Sequence, residues 1–145
     1  MTLGSADRID LPGDEKKRRT KPVRVLIVED EAFYAANLVA RLEDWGFQVM
    51  GQATNGTEAI IKALRQKPDL IVMDIKLPGG NDGIEVAEMI LAKMDVPLIF
   101  LTAYIDPKTL QRAARTRAAD LVSKTASDRE LRDALERALE KYSEK

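Results

Sequence analysis

Cysteine and histidine are both missing from the 145 residues. Without thiols there are no disulfide frameworks, zinc–thiolate sites or cysteine nucleophiles. Without imidazoles there are no Ser–His or Cys–His triads, no His-ligated zinc and no histidine general base. Any chemistry must run on carboxylates, hydroxyls, amines and hard metal ions. No apolar run approaches the ~18 residues of a membrane span, and the first thirty residues lack the apolar stretch of a secretory signal. These absences predict a cytoplasmic chain with no membrane association. A surplus of one charge sign is missing too: 23 Lys and Arg stand against 24 Asp and Glu, a net charge of -1. That balance argues against a generic nucleic-acid binder and predicts no direct DNA contact. What remains, 45% hydrophobic and 32% charged residues, is a globular composition of one domain's length.

Residues 1–22 are thinly apolar, with two glycines, two prolines and the basic run Lys16-Lys17-Arg18-Arg19. They cannot supply a core face and are expected to form a flexible arm. From Val23 the texture changes. VRVLIV (23–28), DLIVMD (69–74) and PLIFLT (97–102) are short, nearly continuous apolar runs, each reaching a polar residue at its end. Such runs suit strands buried on both faces of a parallel sheet. FQVMGQA (47–53) and ADLVS (119–123) are weaker strand candidates. Helical stripes lie between them: Ala35, Leu38, Val39 and Leu42; Ala59, Ile60, Ala63 and Leu64; Val86, Ala87, Ile90, Leu91 and Met94; Leu110, Ala113 and Ala114; and finally Leu131 through Tyr142. Asn55, Asp106 followed by Pro107, and the Ser127–Glu130 capping box mark helix starts. Five β–α units in succession predict an α/β domain: a doubly wound, five-stranded parallel sheet of the flavodoxin-like (βα)5 type.

Ligands of such sheets bind at the carboxyl ends of the strands. The residues closing the strands here are Glu29 and Asp30, Asp74, Thr102 and Lys124. Three carboxylates on one edge repel unless a cation sits among them, and a hard divalent ion, Mg²⁺, resolves the repulsion. An amine and a hydroxyl beside that metal suit an incoming phosphoryl group. A carboxylate would then be the nucleophile, and Asp74, between an apolar strand and the loop Lys76-Leu77-Pro78-Gly79-Gly80, is the best candidate. A flavin site is disfavoured because Glu29-Asp30-Glu31 occupies the loop where the flavin phosphate would sit, and no phosphate-loop motif of nucleotide hydrolases occurs.

VLIVEDE (25–31), LIVMDIKLPGGNDGIE (70–85), PLIFLTAY (97–104) and Lys124 together resemble the receiver domain of two-component response regulators, over roughly residues 23–143. The resemblance implies that Asp74 accepts a phosphoryl group from a histidine kinase or a histidine phosphotransfer protein. It implies a Mg²⁺ site, open also to Mn²⁺, made by Glu29, Asp30, Asp74 and the backbone carbonyl of Lys76, with Asp30 a direct ligand. Thr102 and the Ala103 backbone amide would bind the phosphoryl group, and Lys124 would form a salt bridge to it. Such a protein is not an enzyme beyond assisting its own phosphorylation and slow autodephosphorylation. Its output would run through the fourth helix, fifth strand and fifth helix, to a downstream protein or a dimer. Lys108, Arg112, Arg115 and Arg117 make that region locally basic.

The expected organisation is an arm at 1–22 and a receiver domain at 23–145, a single-domain regulator that signals by protein–protein contact or serves as a phosphate sink. A phosphorylation-independent interaction module of the same fold is the alternative. Two departures from the family pattern bear on that choice. Thr125 follows Lys124 where the family usually has a proline, so this peptide should be trans, and the loop should either aim the amine differently or be more mobile. Leu121 stands where an aromatic switch residue is usual; Tyr104, close to Thr102, could substitute only in part and fits better as a shield over the acyl phosphate. Both changes predict weaker coupling between Asp74 and the far face.

Overall fold

The three strongest apolar runs form the middle of the sheet. In a computed structural model describing residues 21–103 and 105–143, five strands and five helices alternate. They are β1 (Arg24–Val28), α1 (Ala32–Asp44), β2 (Gln48–Ala53), α2 (Gly56–Gln66), β3 (Leu70–Asp74), α3 (Gly83–Leu91), β4 (Leu98–Thr102), α4 (Pro107–Ala114), β5 (Asp120–Ser123) and α5 (Asp128–Ser143). All strand pairings are parallel, in the order β2-β1-β3-β4-β5. This is the doubly wound, flavodoxin-like arrangement expected from the β–α alternation. The expected arm lies outside the described residues except for Lys21 and Pro22, as do the basic run at 16–19 and Tyr104. No helix among the described residues is long and apolar enough to cross a membrane.

Strand alternation divides the core into two layers. Leu26, Val28, Ile71, Met73, Leu98 and Phe100 face α2 and α3, while Val25, Ile27, Leu70, Val72, Ile99 and Leu101 face α1 and α5. Helices on both faces therefore explain why the central strands are apolar at nearly every position. The weaker patterns belong to the two edge strands. β2 is only partly buried until Ala53, and its pairing with β1 skips Met50, an extra residue between Val49 and Gly51. β5 is half-buried throughout.

The helix starts follow their caps. Asn55 accepts from the Glu58 N–H, Asp106 from the Thr109 N–H ahead of Pro107 in the first turn, and Ser127 and Glu130 exchange reciprocal bonds. The apolar stripe read on the fourth helix is a correction. Only Ala113 of α4 is buried, and Leu110 is 46% exposed, because this eight-residue helix turns one small side chain to the sheet. The local basic patch also changes character. Arg112 reaches Asp82 at 2.8 Å and Arg117 reaches Asp95 at 3.6 Å, so two of its four cations are engaged within the chain.

α3 begins tight against the end of β3. The Gly83 N–H donates to the Ile75 carbonyl at 2.6 Å, and a Cβ at residue 83 would run into the Asp74 carbonyl with Ile75 Cα at 2.8 Å. Gly83→Ala should therefore cost about 2–3 kcal/mol in urea unfolding, through forced backbone displacement. Gly80→Ala, at a position with open space around it, should change stability by less than about 0.5 kcal/mol.

Candidate functional site

The parallel sheet delivers the ends of β1, β3, β4 and β5 to one edge. Glu29 and Asp30 leave β1, Asp74 closes β3, Thr102 closes β4, and Lys124 follows β5. Glu29 and Asp74 are buried, at 2% and 6% exposure, whereas Asp30 is open to solvent. Each of the three carboxylates offers an oxygen, all within 4.8 Å of one another. The backbone fixes two of them: Glu29 Oε2 accepts from the Glu31 N–H at 2.9 Å, and Asp74 Oδ1 from the Lys76 N–H at 3.3 Å.

One amine compensates the buried pair. Lys124 Nζ lies 2.7 Å from Glu29 Oε1 and 3.1 Å from Asp74 Oδ2. Burial works against the ammonium, but its hydrogen bond to Glu29 and the charge of Asp74 outweigh it, so the Lys124 pKa is raised. Burial dominates at Glu29, lifting its pKa above the ordinary 4.5 despite the bonds from Lys124 and the Glu31 N–H. Three carboxylates against one ammonium leave an excess of negative charge at an all-oxygen donor set. That is the chemistry a hard divalent cation requires, so the residues fit Mg²⁺.

Thr102 is buried one strand away from Asp74, and Ala103 follows it at the exposed rim. The Thr102 carbonyl accepts from the Lys124 N–H at 2.8 Å, which ties the lysine backbone to the end of β4. Hydrogen bonds span the Thr125 position where the family usually has proline. Ser123 Oγ accepts from the Thr125 N–H at 3.0 Å and pairs with Thr125 Oγ1 at 2.8 Å. No cis peptide occurs among the described residues. Leu121 packs against the core beside a cleft of about 210 Å³ that Leu110, Ala113 and Ala118 also line.

Sequence reasoning missed three neighbours of the site. Asp82 caps α3 in a reciprocal box with Glu85 and holds Arg112 of α4, bridging two elements beside the β3–α3 loop. Its Asp-x-x-Glu spacing was the available signal. Tyr34 lies under Lys124, and Arg41 interacts with Tyr34. Nothing in the periodicity of α1 marks either residue.

The family model for the response regulator receiver domain matches residues 25–136. The transcriptional regulatory protein PdtaR of Mycobacterium tuberculosis is 37% identical over 123 residues, which cover 85% of this chain and 60% of that protein. The phyllosphere-induced regulator PhyR of Methylorubrum extorquens is 38% identical over 101 residues, covering 69% of this chain and 37% of its own. The chain thus spans about 60% of the first of these relatives and less of the second. Among solved structures, the signal receiver domain of a modulated diguanylate cyclase from Desulfovibrio desulfuricans superposes with a TM-score of 0.79 at 36% identity, covering 85% of this chain and 98% of that one.

Lys124→Ala removes the cation between two buried carboxylates and should destabilise the fold by about 3 kcal/mol at pH 7. The raised Glu29 pKa sets the direction with pH. Protonated Glu29 suits its burial, an advantage present below pH 4.5 and lost as pH rises through its folded value. The deficit of the variant should therefore shrink on acidification, as chemical denaturation at pH 7 and pH 5 will measure.

Proposed function

The chain belongs to the response regulator receiver domain family, and on that premise we propose that Asp74 accepts a phosphoryl group from the phosphohistidine of a sensor kinase or phosphotransfer protein. The observation carrying this reading is the placement of Asp74. It is a buried carboxylate at the end of β3, 3.1 Å from the Lys124 ammonium and within an acidic triad. In the transfer, an Asp74 oxygen attacks phosphorus, the P–N bond to the donor breaks, and the leaving imidazole keeps the electron pair. Glu29, Asp30, Asp74 and the Lys76 backbone carbonyl would hold Mg²⁺, which supplies charge neutralisation at the phosphoryl oxygens.

The chain's own groups do the remaining work. Lys124 follows the charge from the free carboxylate to the acyl phosphate, exchanging one anionic partner for another. The Thr102 hydroxyl and the Ala103 N–H donate to the other phosphoryl oxygens. The protein is a phosphoacceptor whose catalysis is confined to its own labelling and slow self-hydrolysis.

Output would pass through α4, β5 and α5 to a protein partner or a second copy. Support comes from the exposed Leu110 and the half-buried β5 on that side. Leu121 has no ring or hydroxyl to exchange between environments, so the shift it transmits is small. That favours a role weighted towards phosphoryl traffic, draining phosphate from a shared kinase.

With Mg²⁺ and acetyl phosphate, intact mass should show one added phosphoryl group, and Asp74→Asn should show none. Undiminished labelling of that variant would sink the assignment, and an unlabelled wild type would favour a phosphorylation-independent module. Asp30→Ala should weaken Mg²⁺ binding by at least roughly tenfold, equivalent to ~1.4 kcal/mol, in an NMR titration.

A further inference from the structure

Lys124 has a third neighbour besides its two carboxylates. Its Nζ lies 4.6 Å from the centroid of the Tyr34 ring, within cation–π range. Tyr34 sits in the first turn of α1, just beyond Glu29 and Asp30. Its ring is half-buried, and Arg41, two turns further along the same helix, interacts with it electrostatically. Arg41 Nη1 in turn reaches Oδ1 of Asp128 at 3.1 Å, at the start of α5. The ring is thus anchored through α1 to the element that follows the Lys124 loop.

We propose that Tyr34 is a positioning residue for phosphoryl transfer, its ring holding the Lys124 ammonium over Asp74 while the carboxylates that share the lysine are otherwise engaged. The inference rests on Asp74 being the phosphoacceptor. Both anionic partners of Lys124 have other work in that reaction. Asp74 becomes an acyl phosphate, so the lysine's anionic partner moves outward to the phosphoryl oxygens, and Glu29 belongs to the triad that attracts a cation. A lysine held only by those two would have no fixed point for its four-carbon stem while its partners change. The neutral ring is consumed by neither event and offers no negative charge to compete for the metal. Tyrosine serves better than an aliphatic residue because its face attracts the ammonium.

The test combines a geometric and a kinetic measurement on the whole chain. In wild type, the Lys124 ε-methylene protons should be shifted upfield of those of the other lysines by the ring current. Tyr34→Phe should keep that shift and Tyr34→Leu should abolish it. With acetyl phosphate and Mg²⁺, Tyr34→Leu should be labelled about three- to tenfold more slowly than wild type, and Tyr34→Phe within about twofold of it. In a Lys124→Ala background, Tyr34→Leu should add no further slowing, since its effect runs through the lysine. Unshifted Lys124 protons in wild type, a Tyr34→Leu rate equal to wild type, or full slowing in the Lys124→Ala background would each overturn the proposal. The wild-type shift decides the contact even where Tyr34→Leu fails to fold. A wild-type chain that takes up no phosphoryl group would overturn the Asp74 reading as well, whereas the three outcomes above leave that reading standing.

Discussion

Two carboxylates cannot sit side by side in a protein interior without a cation between them or a proton on one. Glu29 and Asp74 meet that condition through Lys124, whose ammonium touches both. Much of the surrounding structure holds the arrangement in place. β1 and β3 are hydrogen-bonded neighbours and bring the two acids together, while the Glu31 and Lys76 N–H groups each fix a carboxylate oxygen. β5 is held to β4, and the lysine backbone to Thr102, so the amine reaches inward from the sheet edge. The remaining excess of negative charge is left on the solvent side, at Asp30, where a divalent ion can enter.

A second constraint is steric. α3 starts so close to the end of β3 that residue 83 has no room for a side chain. The helix begins there because Asp82 and Glu85 close a capping box, and the same Asp82 holds Arg112 on α4. The segment that follows the candidate phosphoacceptor is therefore fixed at its far end and open around Gly79 and Gly80. A residue that must be reached by a bulky donor benefits from that combination of rigid support and an uncrowded approach.

The central strands and the strand-end residues were legible in the sequence for one physical reason. A parallel sheet covered on both faces writes continuous apolar runs, and its carboxyl ends all emerge on one edge. Reading where VRVLIV, DLIVMD and PLIFLT stop thus located Glu29, Asp30, Asp74 and Thr102 without any knowledge of their contacts. The edge strands were fainter because half their surface faces solvent or loops. Contacts between distant segments were not legible. Arg112 was legible only as part of a locally basic region because its partner Asp82 lies thirty residues earlier, and nothing in the α1 pattern singled out Tyr34. The Ser123 hydroxyl that bonds Thr125 likewise carries no periodic signal.

The lysine follows the last strand in chain order, and this has a consequence for biosynthesis. A growing chain completes β1 and β3 well before residue 124 leaves the ribosome, so the two acids precede their counter-charge. Until β5 is added at the edge, a nascent sheet must keep them protonated, solvated or apart. Closure of the domain is then coupled to the arrival of a single positive charge from a segment fifty residues beyond Asp74. Fragments ending before β5 inherit the repulsion without its remedy, so the charge pattern itself favours completion over arrest at a four-stranded intermediate.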